Sequence, residues 1–162
     1  MLHKRVMGEV LYSMILYRMA DDRYASDLTG TGGLFTPGRW NRRGTPLVYL
    51  ADHVSLAMIE VLAHSPGLPI GRMLATVEVP AKATIKPVDA ADLPTDWRSW
   101  PYLDQLADLT EQWLAERTHW IMRVPSAIAP SEFIYLLNPL HPDHQTLKLV
   151  SIEPHLFDPR LK

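Results

Sequence analysis

The chain has 162 residues, a formal net charge of -2 and no cysteine, with a pI of 6.4. Disulfides, thiolate nucleophiles and sulfur-ligated metals are thereby excluded, and the charge balance does not suggest a protein that coats nucleic acid or an anionic membrane. Hydrophobic residues at 47% and charged residues at 21% are ordinary globular usage, while 14 prolines and 8 glycines predict many turns between short elements.

Residues 1–9 read as a loose end: Lys4 and Arg5 precede a mildly apolar stretch that Glu9 interrupts, with no signal-peptide cleavage pattern after it. No apolar run approaches the roughly 18 residues of a membrane span. VLYSMILYRM, 10–19, is β-branched and aromatic and predicts a strand with Arg18 near its end. From Gly30 to Gly44 the chain carries five of its eight glycines together with Arg39, Arg42 and Arg43, which predicts a shaped loop without regular helix or strand. Leu47 to Ala51 is a short apolar strand, and Asp52 is placed to cap a helix from Val54 to His64, stopped by Pro66 and Gly67.

Arg72 to Pro80 alternates, with Met73, Ala75, Val77 and Val79 on one face, and a short strand follows near Ile85 to Val88. Leu103, Leu106, Leu109, Trp113 and Leu114 recur at helical spacing and predict a second amphipathic helix. Strands over 120–124, 134–137 and 146–152 complete the chain. No internal repeat or linker divides the sequence, so one domain over 1–162 is expected. Helices and strands mix without regular βα alternation, and no Gly-rich dinucleotide fingerprint follows the first strand. The expected fold class is therefore α+β, strand-rich at its centre with flanking helices.

Among groups able to carry chemistry, Glu60 stands out as the only charge in VSLAMIEVLA. A buried carboxylate needs donors or a cation; alternatively it lies on a surface strip and pairs with His64 one turn away. The Gly-rich loop could aim backbone amides and arginine forks at an anion, or be a solvated surface loop. Arg18 is a third anion ligand or an arginine whose stem packs while its head reaches water. Tyr49 lies in an apolar strand, where a core aromatic is the alternative to a ligand contact. Ser126, between Pro125 and Pro130, binds a ligand or satisfies a local backbone group, and no G-x-S-x-G elbow surrounds it. His141 and His144 lack a third ligand, so no metal is expected and HPDH reads as a Pro-bent surface loop.

Taken in order, YR at Tyr17 and Arg18, GGLFTPGRWNRRGTPLVYLA, SLAMIEVLAH, RVPSAIAP and LLNPLHPD resemble the RES domain, over about residues 15–150. The resemblance implies a fold similar to the ADP-ribosyltransferase toxins and a cytoplasmic toxin, silenced by an Xre-type antitoxin, that degrades NAD⁺ and arrests growth. It also implies a site in which Arg18 and Arg39 contact phosphate and ribose, Tyr49 packs near nicotinamide, Glu60 meets the reactive ribose and Ser126 lies at the pocket wall. Glu60, Arg18 and Ser126 are the expected catalytic residues. NAD⁺ is then the substrate, with inorganic phosphate as a co-substrate if the enzyme is a phosphorylase rather than a glycohydrolase, and no prosthetic group is needed. A homodimer or a hetero-oligomer with the antitoxin is expected, without direct nucleic-acid or membrane contact. The competing readings are mono-ADP-ribosyl transfer to a protein and a non-catalytic module that only docks an antitoxin.

Overall fold

A computed structural model of the chain describes the backbone of residues 4–6 and 9–162, with side chains from residue 12 onward. Strands β1 (Lys4–Val6) and β2 (Glu9–Leu11) pair antiparallel as a separate two-stranded sheet. The loose end expected over 1–9 is thus corrected for 4–6 and Glu9, while the rest of that expectation lies outside the described residues.

A seven-stranded sheet forms the body of the molecule. Its strands are β3 (Met14–Asp21), β4 (Val48–Ala51), β5 (Arg72–Val79), β6 (Ile85–Pro87), β7 (Ile121–Pro125), β8 (Phe133–Leu137) and β9 (Lys148–His155), in spatial order β6-β7-β8-β4-β3-β5-β9. Every pairing is antiparallel except β6 with β7. The short helix α1 (Gly32–Phe35) precedes β4, and α2 (Val54–Ala63) follows it and packs on β3 and β4. Helix α3 (Asp104–Glu116) buries Leu106, Ala107, Thr110 and Trp113. The architecture is α+β, as the patterning predicts. No helix among the described residues is long and apolar enough to cross a membrane.

The period-two pattern separates two cores. On the helix side, Tyr49, Ala51, Met122, Ile134 and Leu136 join Leu56, Ala57 and Trp113. On the other side, Val48, Leu50, Val77, Val79, Trp120 and Leu137 pack with Leu16 and with Leu28 of the connection after β3. Alternation along β4 and β8 sends successive side chains to opposite cores, as the strand period requires.

Three local expectations are corrected. Asp52 is not the cap of α2: His53 occupies that position with no side-chain cap, and Asp52 Oδ1 sits 2.9 Å from His53 Nδ1 instead. The Gly-rich segment does contain one turn of helix, α1, and within it Gly33 lies so close to the next part of the loop that a Cβ would be 2.2 Å from the Thr45 carbonyl. Arg18 lies inside β3 rather than near its end, since β3 continues to Asp21 opposite Arg72.

The central seam is the feature that makes a site. β3 is bonded to β5 along its whole length, but to β4 only at Tyr17 opposite Ala51. Beyond that pair the two strands diverge, and Arg18 is the first residue in the fork.

Candidate active site

A cleft of about 1000 Å³ opens over this fork, at the upper end of the range of small-molecule sites. All five residues singled out from the sequence line it: Arg18 from β3, Arg39 from the Gly-rich loop, Tyr49 from β4, Glu60 from α2 and Ser126 just past β7. A smaller pocket of about 280 Å³, lined by Asp27 and Gly30 to Gly33, shares Arg18, Gly38 and Tyr49 with it.

Glu60 does not pair with His64. Its partner is Ser126, whose Oγ donates to Glu60 Oε1 at 2.8 Å. Ser126 is 1% exposed, and the same oxygen accepts from the amides of Ile128 and Ala129, each at 3.1 Å. With both lone pairs taken by backbone N–H groups, the single hydroxyl proton can only point at the carboxylate. Ser126 therefore fixes one carboxylate oxygen of Glu60, and the hydrogen bond engages Oε1 alone.

Arg39 is held flat. Its Nη1 donates to the carbonyls of Trp97 at 2.7 Å and Ser99 at 3.1 Å, and its guanidinium lies 4.7 Å from the centre of the Tyr102 ring. Burial lowers its pKa, opposed by Tyr102 and by the charge of Glu60, but an arginine stays protonated throughout. Trp100, 73% exposed, lines the same wall and meets Tyr102 edge-on at 4.6 Å. Sequence reasoning missed this wall, because nothing local to Trp97–Tyr102 marks it; Trp97 is 58 residues from Arg39.

Arg18 donates to the Asp27 carbonyl through Nη1. Burial lowers its pKa, opposed by the charge of Asp27, and here too the guanidinium stays protonated. Tyr49 gives its hydroxyl proton to Asn41 Oδ1 at 2.5 Å, and burial pushes its pKa well up, so it stays a neutral donor. Gly38 is required by this pair: a Cβ there would lie 2.8 Å from both Asn41 Oδ1 and the Tyr49 hydroxyl.

Three of the five glycine amides of the loop are not free to meet an anion. The N–H groups of Gly33, Gly38 and Gly44 bond within the loop, to the carbonyls of Gly30, Asn41 and Gly33. Nor do its arginines act together: Arg42 bonds Asp108 at 2.6 Å and Glu111 at 2.9 Å on α3, and Arg43 is exposed. Only Arg39 of the three faces the cleft. Arg72, not noticed in the sequence, adds a third guanidinium at the wall beside His64 and Ser65.

His144 is half-buried and hydrogen-bonded inside a 3-10 turn over Pro142–Thr146, which corrects the surface loop expected there. Among the described residues, Asp52, His53 and Glu132 bring ligand atoms within 4.8 Å of one another. They are already in mutual contact, with His53 Nδ1 at 2.9 Å from Asp52 and 3.7 Å from Glu132.

The cleft thus combines three arginines, one oriented carboxylate and an aromatic wall. Such a site suits an anionic ligand with flat rings and a carbon centre that becomes positive as it reacts.

Comparison with known proteins agrees in both sequence and fold. Residues 15–158 match the family described as the RES domain. The protein named Toxin Res from Yersinia enterocolitica is 39% identical over 153 residues, covering 92% of this chain and 100% of that protein. The Prs ADP-ribosylating toxin of a Sphingobium species is 36% identical over 141 residues, covering 85% of this chain and 88% of its own. A chain in the crystal structure of the M. tuberculosis MbcT–MbcA toxin–antitoxin complex superposes with a TM-score of 0.69 at 18% identity, over 93% of this chain and 87% of that one. At that identity the likeness is one of fold.

Proposed function

This chain belongs to the RES-domain family, and on that premise we propose that it is the toxin of a toxin–antitoxin pair and consumes NAD⁺ by cleaving the nicotinamide–ribose bond. The observation that carries the chemistry is the Ser126–Glu60 hydrogen bond at 2.8 Å on the wall of a cleft lined by Arg18, Arg39 and Arg72. Arginine forks suit the pyrophosphate. The aromatic wall of Trp100 and Tyr102 offers faces for a planar ring.

Heterolysis of the glycosidic bond releases neutral nicotinamide with the bonding electron pair and leaves an oxocarbenium-like ribose. The free oxygen of Glu60 accepts from a ribose hydroxyl and opposes the developing positive charge beside the apolar walls of Ala57, Val61 and Ile134. Nicotinamide leaves without protonation, so no general acid is needed. Water then captures the ribosyl carbon and gives ADP-ribose and a proton; inorganic phosphate in its place gives the 1-phosphate. Ser126, committed to Glu60 and two amides, is not the nucleophile.

We also propose that one RES domain spans 1–162 and acts in the cytoplasm, alone as a homodimer or bound to an Xre-type antitoxin that covers the cleft. A second reading, transfer of ADP-ribose to a protein, has one specific support, the name of the Sphingobium relative. Both use the same bond cleavage and differ in acceptor.

The test is purified protein with NAD⁺, with and without phosphate, followed for nicotinamide and the ribose product, and with labelled NAD⁺ in a lysate for label on protein. Free ADP-ribose is the expected product. Label on a protein supports the second reading, and no nicotinamide release rejects both. Ser126→Ala should lower kcat about tenfold with a smaller change in KM, because one net hydrogen bond orienting the carboxylate is lost; an unchanged kcat refutes the positioning role.

A further inference from the structure

We propose that His144 is a positioning residue for this cleft: from the opposite face of the sheet it clamps the 22–31 connection, whose Asp27 carbonyl holds the Arg18 guanidinium. The inference rests on the reading of the cleft as an NAD⁺ site.

The indole of Trp120 is fully buried, and its N–H, which can only donate, bonds His144 Nδ1 at 3.1 Å. The lone pair therefore sits on Nδ1 and the ring proton on Nε2, which donates to the Leu28 carbonyl at 2.7 Å. Both ring nitrogens are committed and the imidazole is neutral. A second proton on Nδ1 would face the indole N–H and break the link.

The preceding carbonyl in the chain, that of Asp27, accepts from Arg18. Two consecutive carbonyls thus face two anchors, His144 on the far face and Arg18 in the fork. Leu28 packs in the far core beside Leu16 and Val48, and the Asp27 carboxylate takes the Thr29 amide at 2.9 Å, which stiffens the turn between them. A shift at Leu28 is passed to Asp27 and so to the head group of Arg18.

Burial, with repulsion from His141, holds the His144 pKa below its ordinary 6.5, against the opposing bond to Leu28. The other charged groups near it in the chain are Asp143 on its own turn, which faces His141 at 3.9 Å, and Asp27 on the connection it clamps; Trp120 brings none. Since the fold favours the neutral ring, the clamp is complete at and above the ordinary histidine pKa and is lost only as pH falls through the lowered pKa of the folded ring.

Two variants test this. In His144→Gln the amide oxygen and nitrogen can meet the same two partners without titrating; in His144→Leu neither bond forms. His144→Leu should raise KM for NAD⁺ about tenfold and speed amide hydrogen exchange in 22–31, while His144→Gln stays near wild type at neutral pH. Between about pH 7.5 and about pH 5 the wild-type KM should climb more than that of His144→Gln. Wild-type KM and wild-type exchange in His144→Leu overturn the proposal. If that variant does not fold, the pH comparison decides, and parallel KM profiles for wild type and His144→Gln overturn it. If the wild-type protein consumes no NAD⁺, the proposed activity falls, and the exchange measurement still decides the clamp.

Discussion

Glu60→Gln is expected to lower the rate of nicotinamide release by about 10² to 10³ while leaving the fold intact. Gln has the shape of Glu, and its amide oxygen can still accept the Ser126 proton, so the packing of α2 is unchanged. What disappears is the negative charge, and it disappears where the ribose becomes positive. Because that interaction is made only in the transition state, kcat should fall with KM nearly constant. The measurement is kcat and KM for NAD⁺ beside a thermal melt. Wild-type kinetics in a folded variant would remove Glu60 from the chemistry, whereas failure to fold would make it a structural carboxylate.

Arg39→Lys is the second large effect, expected mainly in KM, which should rise about tenfold to a hundredfold. Arg39 has three roles at once: its guanidinium bonds the Trp97 and Ser99 carbonyls and lies on Tyr102, and the residue lines the cleft. A lysine keeps the charge but has no planar fork, so it can hold the wall or meet a phosphate, not both. Arg42→Lys is the control from the same loop. Its charge is directed at Asp108 and Glu111 on α3, and KM should not move. Equal KM for Arg39→Lys and wild type would show that Arg39 serves only the wall.

Much of the fold was legible because the elements are short and their periods clean. The alternation of 72–80 and the spacing of Leu106 and Trp113 appear as β5 and α3, close to their expected bounds. Glu60 was legible for a related reason, since one charge in an apolar helix is a local anomaly. Its partner was not. The local alternative was His64, but the structure supplies Ser126 from 66 residues away, and no spacing rule reports a contact between chain segments that only folding brings together. The wall of Trp97 to Tyr102 and the third arginine, Arg72, escaped notice for the same reason.

The sequence by itself determined which segments become strands and helices, the absence of sulfur chemistry, and the supply of arginines, aromatics and one anomalous carboxylate, because these depend on residue type and on periods of two and 3.6. Only the tertiary structure decided which of these groups act together. Three arginines share the Gly-rich loop, yet Arg42 is drawn off by the acids of α3 and Arg43 by solvent, which leaves Arg39 for the cleft. The cleft itself exists because β3 and β4 pair at a single position and then part. Strand divergence is set by how two sheet faces pack against their cores, and that balance is a property of the whole molecule rather than of any segment.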